Sequence, residues 1–157
     1  MLAFYQLFPE IGLKETRTAT IFGGDRSLPH DSYGFVELYC VDPDCDCRRV
    51  MINVLSERGR AHLATINHAF EAPANDDPVQ KQTFLDPLNV QSRWSGALLE
   101  LFKEIILDRA YCERLERHYR MVKDALRDPG HPIHQVIGRS KRSSGLRRKK
   151  EGRSTLE

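Results

Sequence analysis

Two β-type segments meet at a bend that carries three of the chain's four cysteines, and this arrangement constrains the fold more than any other stretch. Tyr33 to Cys40 alternates, with Val36, Leu38 and Cys40 on one face and Phe35, Glu37 and Tyr39 on the other. Arg48 to Leu55 alternates too and puts Val50, Ile52 and Val54 together. Val41 to Cys47, with its proline and aspartates, turns the chain between them, so the two segments are expected to pair as a long antiparallel hairpin. Thr16 to Phe22 precedes it and ends at Gly23-Gly24-Asp25; Ala61 to Phe70 follows the Ser56 to Arg60 turn with Ala64, Ile66, His68 and Phe70 on one side. The expected sheet is a four-stranded antiparallel β-meander whose inner face holds Val36, Leu38 and Cys40. Leu38 should then pair with Val50, and Val50 with His68, since a one-residue slip would set apolar against polar.

Beyond the strands the pattern changes period. Ser92 can cap a helix to about Leu107 with Trp94, Leu98, Leu101, Phe102 and Ile105 as its buried stripe. Asp108 can cap a second to about Leu126 with Tyr111, Leu115, Val122 and Leu126 facing inward and Cys112 and His118 on the flanks. One sticky face on the sheet and one on each helix predict an α+β sandwich, the meander packed against two or more α-helices. From Glu71 to Gln91 the chain is irregular; so long a connection is uncommon, so Gln82 to Leu85 is expected to pack on the body.

A chain of 157 residues, 40% hydrophobic and 29% charged, fits one domain and a tail. The domain is assigned to residues 1–138. Residues 139–157 hold eight Lys or Arg against Glu151 and Glu157, a net of +6, which leaves 16 basic and 20 acidic residues in the body. Almost nothing in that end is apolar, so a disordered basic tail is expected. No run approaches the ~18 apolar residues of a membrane span. The first ten residues lack a basic start and break at Pro9, so they do not read as a signal peptide. A cytoplasmic location is the resulting expectation, and there clustered cysteines read as metal or redox chemistry before disulfides.

Zinc takes four ligands in a tetrahedron and favours thiolates and imidazoles, and closely spaced cysteines on a tight bend supply them at little entropic cost. Cys40, Cys45 and Cys47, spaced C-x4-C-x-C, provide three. His118 is the favoured fourth, from a helix expected over that sheet face; His68 and Cys112 are the alternatives. His68 lies two strands from Cys40, roughly 10 Å between backbones. Inert core thiols, a disulfide, or thiol redox chemistry at Cys45 and Cys47 compete with the metal reading. Asp42, Asp44 and Asp46 alternate as in a calcium loop, but Cys47 and Asn53 stand where that loop needs glycine and glutamate.

The run Phe35 to Cys40 through Cys45-Asp46-Cys47-Arg48-Arg49-Val50, with Phe84 to Asn89, Arg114-Leu115 and Arg117-His118-Tyr119, resembles an uncharacterised bacterial domain family over residues 10 to 125. Its motif is Y-C-x4-C-x-C-R-R-V, and some members end in a SEC-C motif, a short cysteine-rich zinc module. The resemblance implies a fold and a bound zinc, not an activity. Residues 138–150 here contain no cysteine, so that terminal module cannot bind metal in this chain.

No H-E-x-x-H, no G-x-S-x-G and no glycine-rich phosphate loop is present. The sequence therefore reads as a non-enzymatic, zinc-stabilised interaction module, the zinc structural. Arg142, Arg147, Arg148, Lys149 and Lys150 would give it weak, salt-sensitive contact with nucleic acid or another anionic partner. The alternative is a zinc-dependent hydrolytic enzyme with an open metal position, Glu37, Asp42, Asp44 or Asp46 serving as base.

Overall fold

The computed structural model describes residues 1–23, 25–72 and 82–151, the side chains of Asp25 and of 143–151 excepted. Its centre is an antiparallel sheet of six strands rather than four: β1 (Leu2–Ala3), β2 (Arg17–Ile21), β3 (Asp31–Tyr39), β4 (Arg49–Ser56), β5 (Ala61–Ala69) and β6 (Thr83–Leu85). β3, β4, β5 and β6 are neighbours in that order; β1 and β2 share the other edge of β3, at its two ends. The two strands without a sequence signal, β1 and β6, are two and three residues long, too short for any alternation to register.

The inner face of β3 is the opposite of the one expected. Phe35 pairs with Val54, Glu37 with Ile52 and Leu38 with Met51, so Leu38 does not meet Val50. Tyr33, Phe35, Glu37 and Tyr39 are buried, while Val36, Leu38 and Cys40 are only half-buried. Both sides of this strand are apolar enough to face a core, and the larger area of three aromatic rings decides between them. Val50 does pair with His68.

Helices lie over that inner face. The first two are α1 (Phe4–Leu7) and α2 (Pro9–Glu15), then α3 (Ser95–Leu101), continued by a π-helical turn over Phe102–Ile106, α4 (Arg109–Arg127) and α5 (Ile133–Glu151). Asp108 caps α4 as the sequence suggests, its carboxylate accepting from the Tyr111 amide at 2.7 Å. The stripe of α3 differs by one residue from expectation: Ile106 is buried and Ile105 is half exposed. A π turn spends an extra residue per turn and so rotates the next side chain into the core. Phe102 packs against Phe35 and His68, and the Tyr39 hydroxyl donates to the Leu115 carbonyl at 3.1 Å, which seats both helices on one sheet face.

Residues 86–92 run along β5 and bury its second face. Gln91 accepts from the Thr65 amide and donates to its carbonyl, the Asp86 amide donates to the same carbonyl, and the Ser92 amide donates to Leu63. Residues 73–81, the middle of the irregular connection, lie outside the described residues. α5 crosses the boundary expected at Gly138; Ile133 and Ile137 on its first turns are buried, and Arg142 is exposed. The side chains of Arg147, Arg148, Lys149 and Lys150 lie outside the described residues.

Candidate metal centre

Cys40 stands just past β3, and Cys45 and Cys47 lie in the loop before β4. Local chemistry shapes that loop. Pro43 fixes the second position of a turn in which the Cys45 amide donates to the Asp42 carbonyl at 3.4 Å, and the Asp42 carboxylate accepts from the Asp44 amide at 3.1 Å. The aspartate that imitates a calcium ligand is thus a turn former. After it the Cys47 amide donates to the Cys45 sulfur at 3.4 Å, turning both thiols toward Cys40.

The result is a group in which all three sulfurs lie within 4.8 Å of one another, each residue half-buried and none in a disulfide. Zinc–sulfur bonds of ~2.3 Å set the sulfurs of a tetrahedron about 3.8 Å apart, so a small contraction closes the trio on an ion. Three thiols at this spacing can hold a metal ion, and soft sulfur donors suit zinc and other thiophilic ions.

α4 supplies the floor, through Lys123 rather than through His118. The Lys123 ammonium is largely buried and donates to the Cys45 carbonyl at 2.6 Å and the Asp42 carbonyl at 3.3 Å, tying the loop to the helix at two points. It also sits 5.7 Å from the centre of the Tyr119 ring, which Phe70 meets edge-on and over which Arg48 lies. Tyr119, Lys123 and Arg127 recur every fourth residue, the spacing of one helix face, which is the signal in the sequence that marks the side of α4 nearest the loop.

The thiols differ in acidity. Hydrogen bonds from the Cys47 thiol and amide and from Cys40, joined by the Lys123 charge, hold the Cys45 thiol below its ordinary range. Burial and then the hydrogen bond with Cys45 push Cys47 up to about 12. Beside Cys45 opens a groove of about 430 Å³ whose rim includes Arg48, Arg120, Lys123 and Arg127, with Asp44, Asp46 and Asp124 between them.

None of the expected fourth ligands reaches the trio; among the described residues no further histidine, cysteine or carboxylate joins it. His118 is wholly buried, but on the inner face: its Nδ1 is 2.6 Å from Glu37 and its Nε2 3.1 Å from Glu15. The reversed face of β3 explains this, because it brings Glu37 under α4 where an apolar side chain was expected. Phe4 stacks on the imidazole at 3.8 Å, and Arg114 and Arg117 hold the Glu15 end. His68 spends its Nδ1 on the Thr83 hydroxyl at 2.8 Å, and burial lowers its pKa. Cys112, its thiol pushed up by burial, sits in the first turn of α4, about 16 Å along the axis from Lys123.

Compared with known proteins, the chain matches no family model, no curated protein and no solved structure.

Proposed function

We propose that Cys40, Cys45 and Cys47 bind one divalent thiophilic ion, zinc in the first place, and that the ion serves as a structural clasp in an interaction module. The observation that carries the reading is the convergence of three sulfurs within 4.8 Å on a loop already tied to α4 by Lys123. A bound ion would fix the end of β3 to the start of β4, and its binding free energy would add to the stability of the sheet. Three free thiols persist in a reducing compartment, so the reading places the protein in the cytoplasm. Metal analysis of tag-free protein is expected to give one zinc per chain, lost in Cys45→Ser; a metal-free wild type that competing zinc fails to stabilise would end the proposal.

The basic stretch from Arg139 to Lys150 is the proposed contact for an anionic partner, nucleic acid above all. Its support is charge alone: eight Lys or Arg in residues 139–157. Mobility shift of RNA and DNA at low and physiological salt, with and without residues 139–157, tests it; binding that survives the truncation contradicts it.

A second reading is favoured by the lack of a fourth protein ligand among the described residues and by the groove beside Cys45: an open zinc position with a hydrolytic role. Three thiolates push charge onto the ion and make it a poorer Lewis acid than the histidine-rich set of many hydrolytic zincs. Glu37, one of the bases it would need, is buried in the His118 pair. Metal-dependent cleavage of activated esters that is lost in Asp44→Asn or Asp46→Asn would establish this reading over the structural one.

A further inference from the structure

Resting on the metal reading above, we propose that the fourth position on the ion is a binding site for a small external thiol that carries a carboxylate. Three observations lead there. The sulfurs of Cys40, Cys45 and Cys47 form a trio that no other described donor completes. Of the three, Cys45 borders the groove, so that groove is the approach to the ion. Cations outnumber carboxylates along the groove, with Arg48, Arg120, Lys123 and Arg127 against Asp44, Asp46 and Asp124.

The chemistry of the ligand follows from these. An ion already held by three thiolates prefers a fourth soft donor to water or an oxygen anion. As the thiol binds, its S–H proton passes to solvent and its sulfur takes the open place; no bond of the protein is made or broken. A second group is needed to make such binding selective, and the groove supplies cations for it. Lys123 is committed to the two loop carbonyls, which leaves the arginines. Arg127 pairs with Asp124 at 3.0 Å and Arg120 with Glu116 at 3.5 Å, both on exposed side chains. Exposed pairs of this kind hold weakly, so a ligand carboxylate with its sulfur anchored on the ion displaces them at little cost. The volume of about 430 Å³ takes a ligand of a few to a dozen heavy atoms.

Cobalt(II) in place of zinc makes this testable, because its absorption reports both the number of sulfurs and the coordination number. The full chain loaded with cobalt is titrated with mercaptoacetate and, separately, with neutral mercaptoethanol. Expected are sulfur-to-cobalt charge-transfer bands from the protein alone, a change in the ligand-field bands on adding either thiol, and about tenfold tighter binding of mercaptoacetate. Arg120→Glu and Arg127→Glu, on exposed side chains, should leave cobalt uptake intact and abolish the preference. Bands that neither thiol moves would show the fourth position closed, and equal affinities would show that the groove does not read the carboxylate; either overturns the proposal. Failure to take up cobalt at all would instead overturn the metal reading beneath it.

Discussion

Cys45 and Cys47 stand two residues apart and shift in opposite directions, one thiol held below its ordinary range and the other pushed up to about 12. Thiolate is the form that alkylates, so in metal-free protein at mildly alkaline pH iodoacetamide should label Cys45 first and Cys47 last, read by peptide mass spectrometry. Zinc should protect both, which separates ligation from simple burial. His118 makes a second case. It lies between Glu37 and Glu15 with both ring nitrogens engaged, and the Tyr39 hydroxyl shares its one proton between Glu37 at 3.0 Å and the Leu115 carbonyl at 3.1 Å. His118→Ala would leave a buried carboxylate without its main partner, an expected loss of about 3 kcal/mol in urea unfolding. Replacing both partners, as His118→Leu with Glu37→Leu, should recover a good part of that loss, because the carboxylate left stranded by the single change is then gone. Metal content should stay unchanged in both variants, since neither residue touches the sulfurs.

Among the elements, the π turn after α3 gives the sharpest contrast between adjacent side chains. Ile106→Ala removes a buried side chain and should cost about 2–4 kcal/mol, whereas Ile105→Ala should stay within about 0.5 kcal/mol. Equal costs in thermal or urea melts would show a regular α-helical turn in solution. This turn also marks where reading a sequence stops being enough: the 3.6-residue period carries the stripe through Leu98, Leu101 and Phe102 and then misassigns the next residue. The four longer strands, the cap at Asp108 and the convergence of the cysteines were legible because each follows from a local rule, alternation, capping or turn chemistry. The inner face of β3 was not, since Val36 and Leu38 compete with Phe35 and Tyr39 and only the packing partner decides. From that single reversal came the misplacement of His118: with Glu37 turned inward, the imidazole had a carboxylate to meet and no path to the thiols. Lys123 is hard to read from sequence for another reason, as a lysine on an amphipathic helix ordinarily faces water.

In the molecule as a whole, acid is the expected weakness. Burial pushes the Asp31 carboxyl up, but the Ser56 hydroxyl and the Arg58 and Ser32 amides outweigh it and hold the group below the usual carboxylate range. Asp86 is alike: burial raises it, and Asn89, the Leu88 amide and Asn67 more than reverse the effect. A carboxylate lowered on folding adds stability above its unfolded pKa, and that contribution is lost as pH falls through the folded value. The contributions of Asp31 and Asp86 should therefore hold from neutral pH down to about pH 4 and be lost below it, after a first, smaller drop in the urea midpoint below about pH 6.5 as His68, its pKa lowered by burial, loses its own contribution; Asp86→Asn should flatten the fall below about pH 4 at the expense of stability at neutral pH. One strand pairing reaches into practical handling of the protein. β1 sets Leu2 beside Tyr39 and Ala3 beside Leu38, and one further step in that register puts Met1 alongside Cys40. Anything fused ahead of Met1 therefore emerges next to the sulfur trio, and a polyhistidine purification handle there would donate its own imidazoles and counterfeit an occupied site.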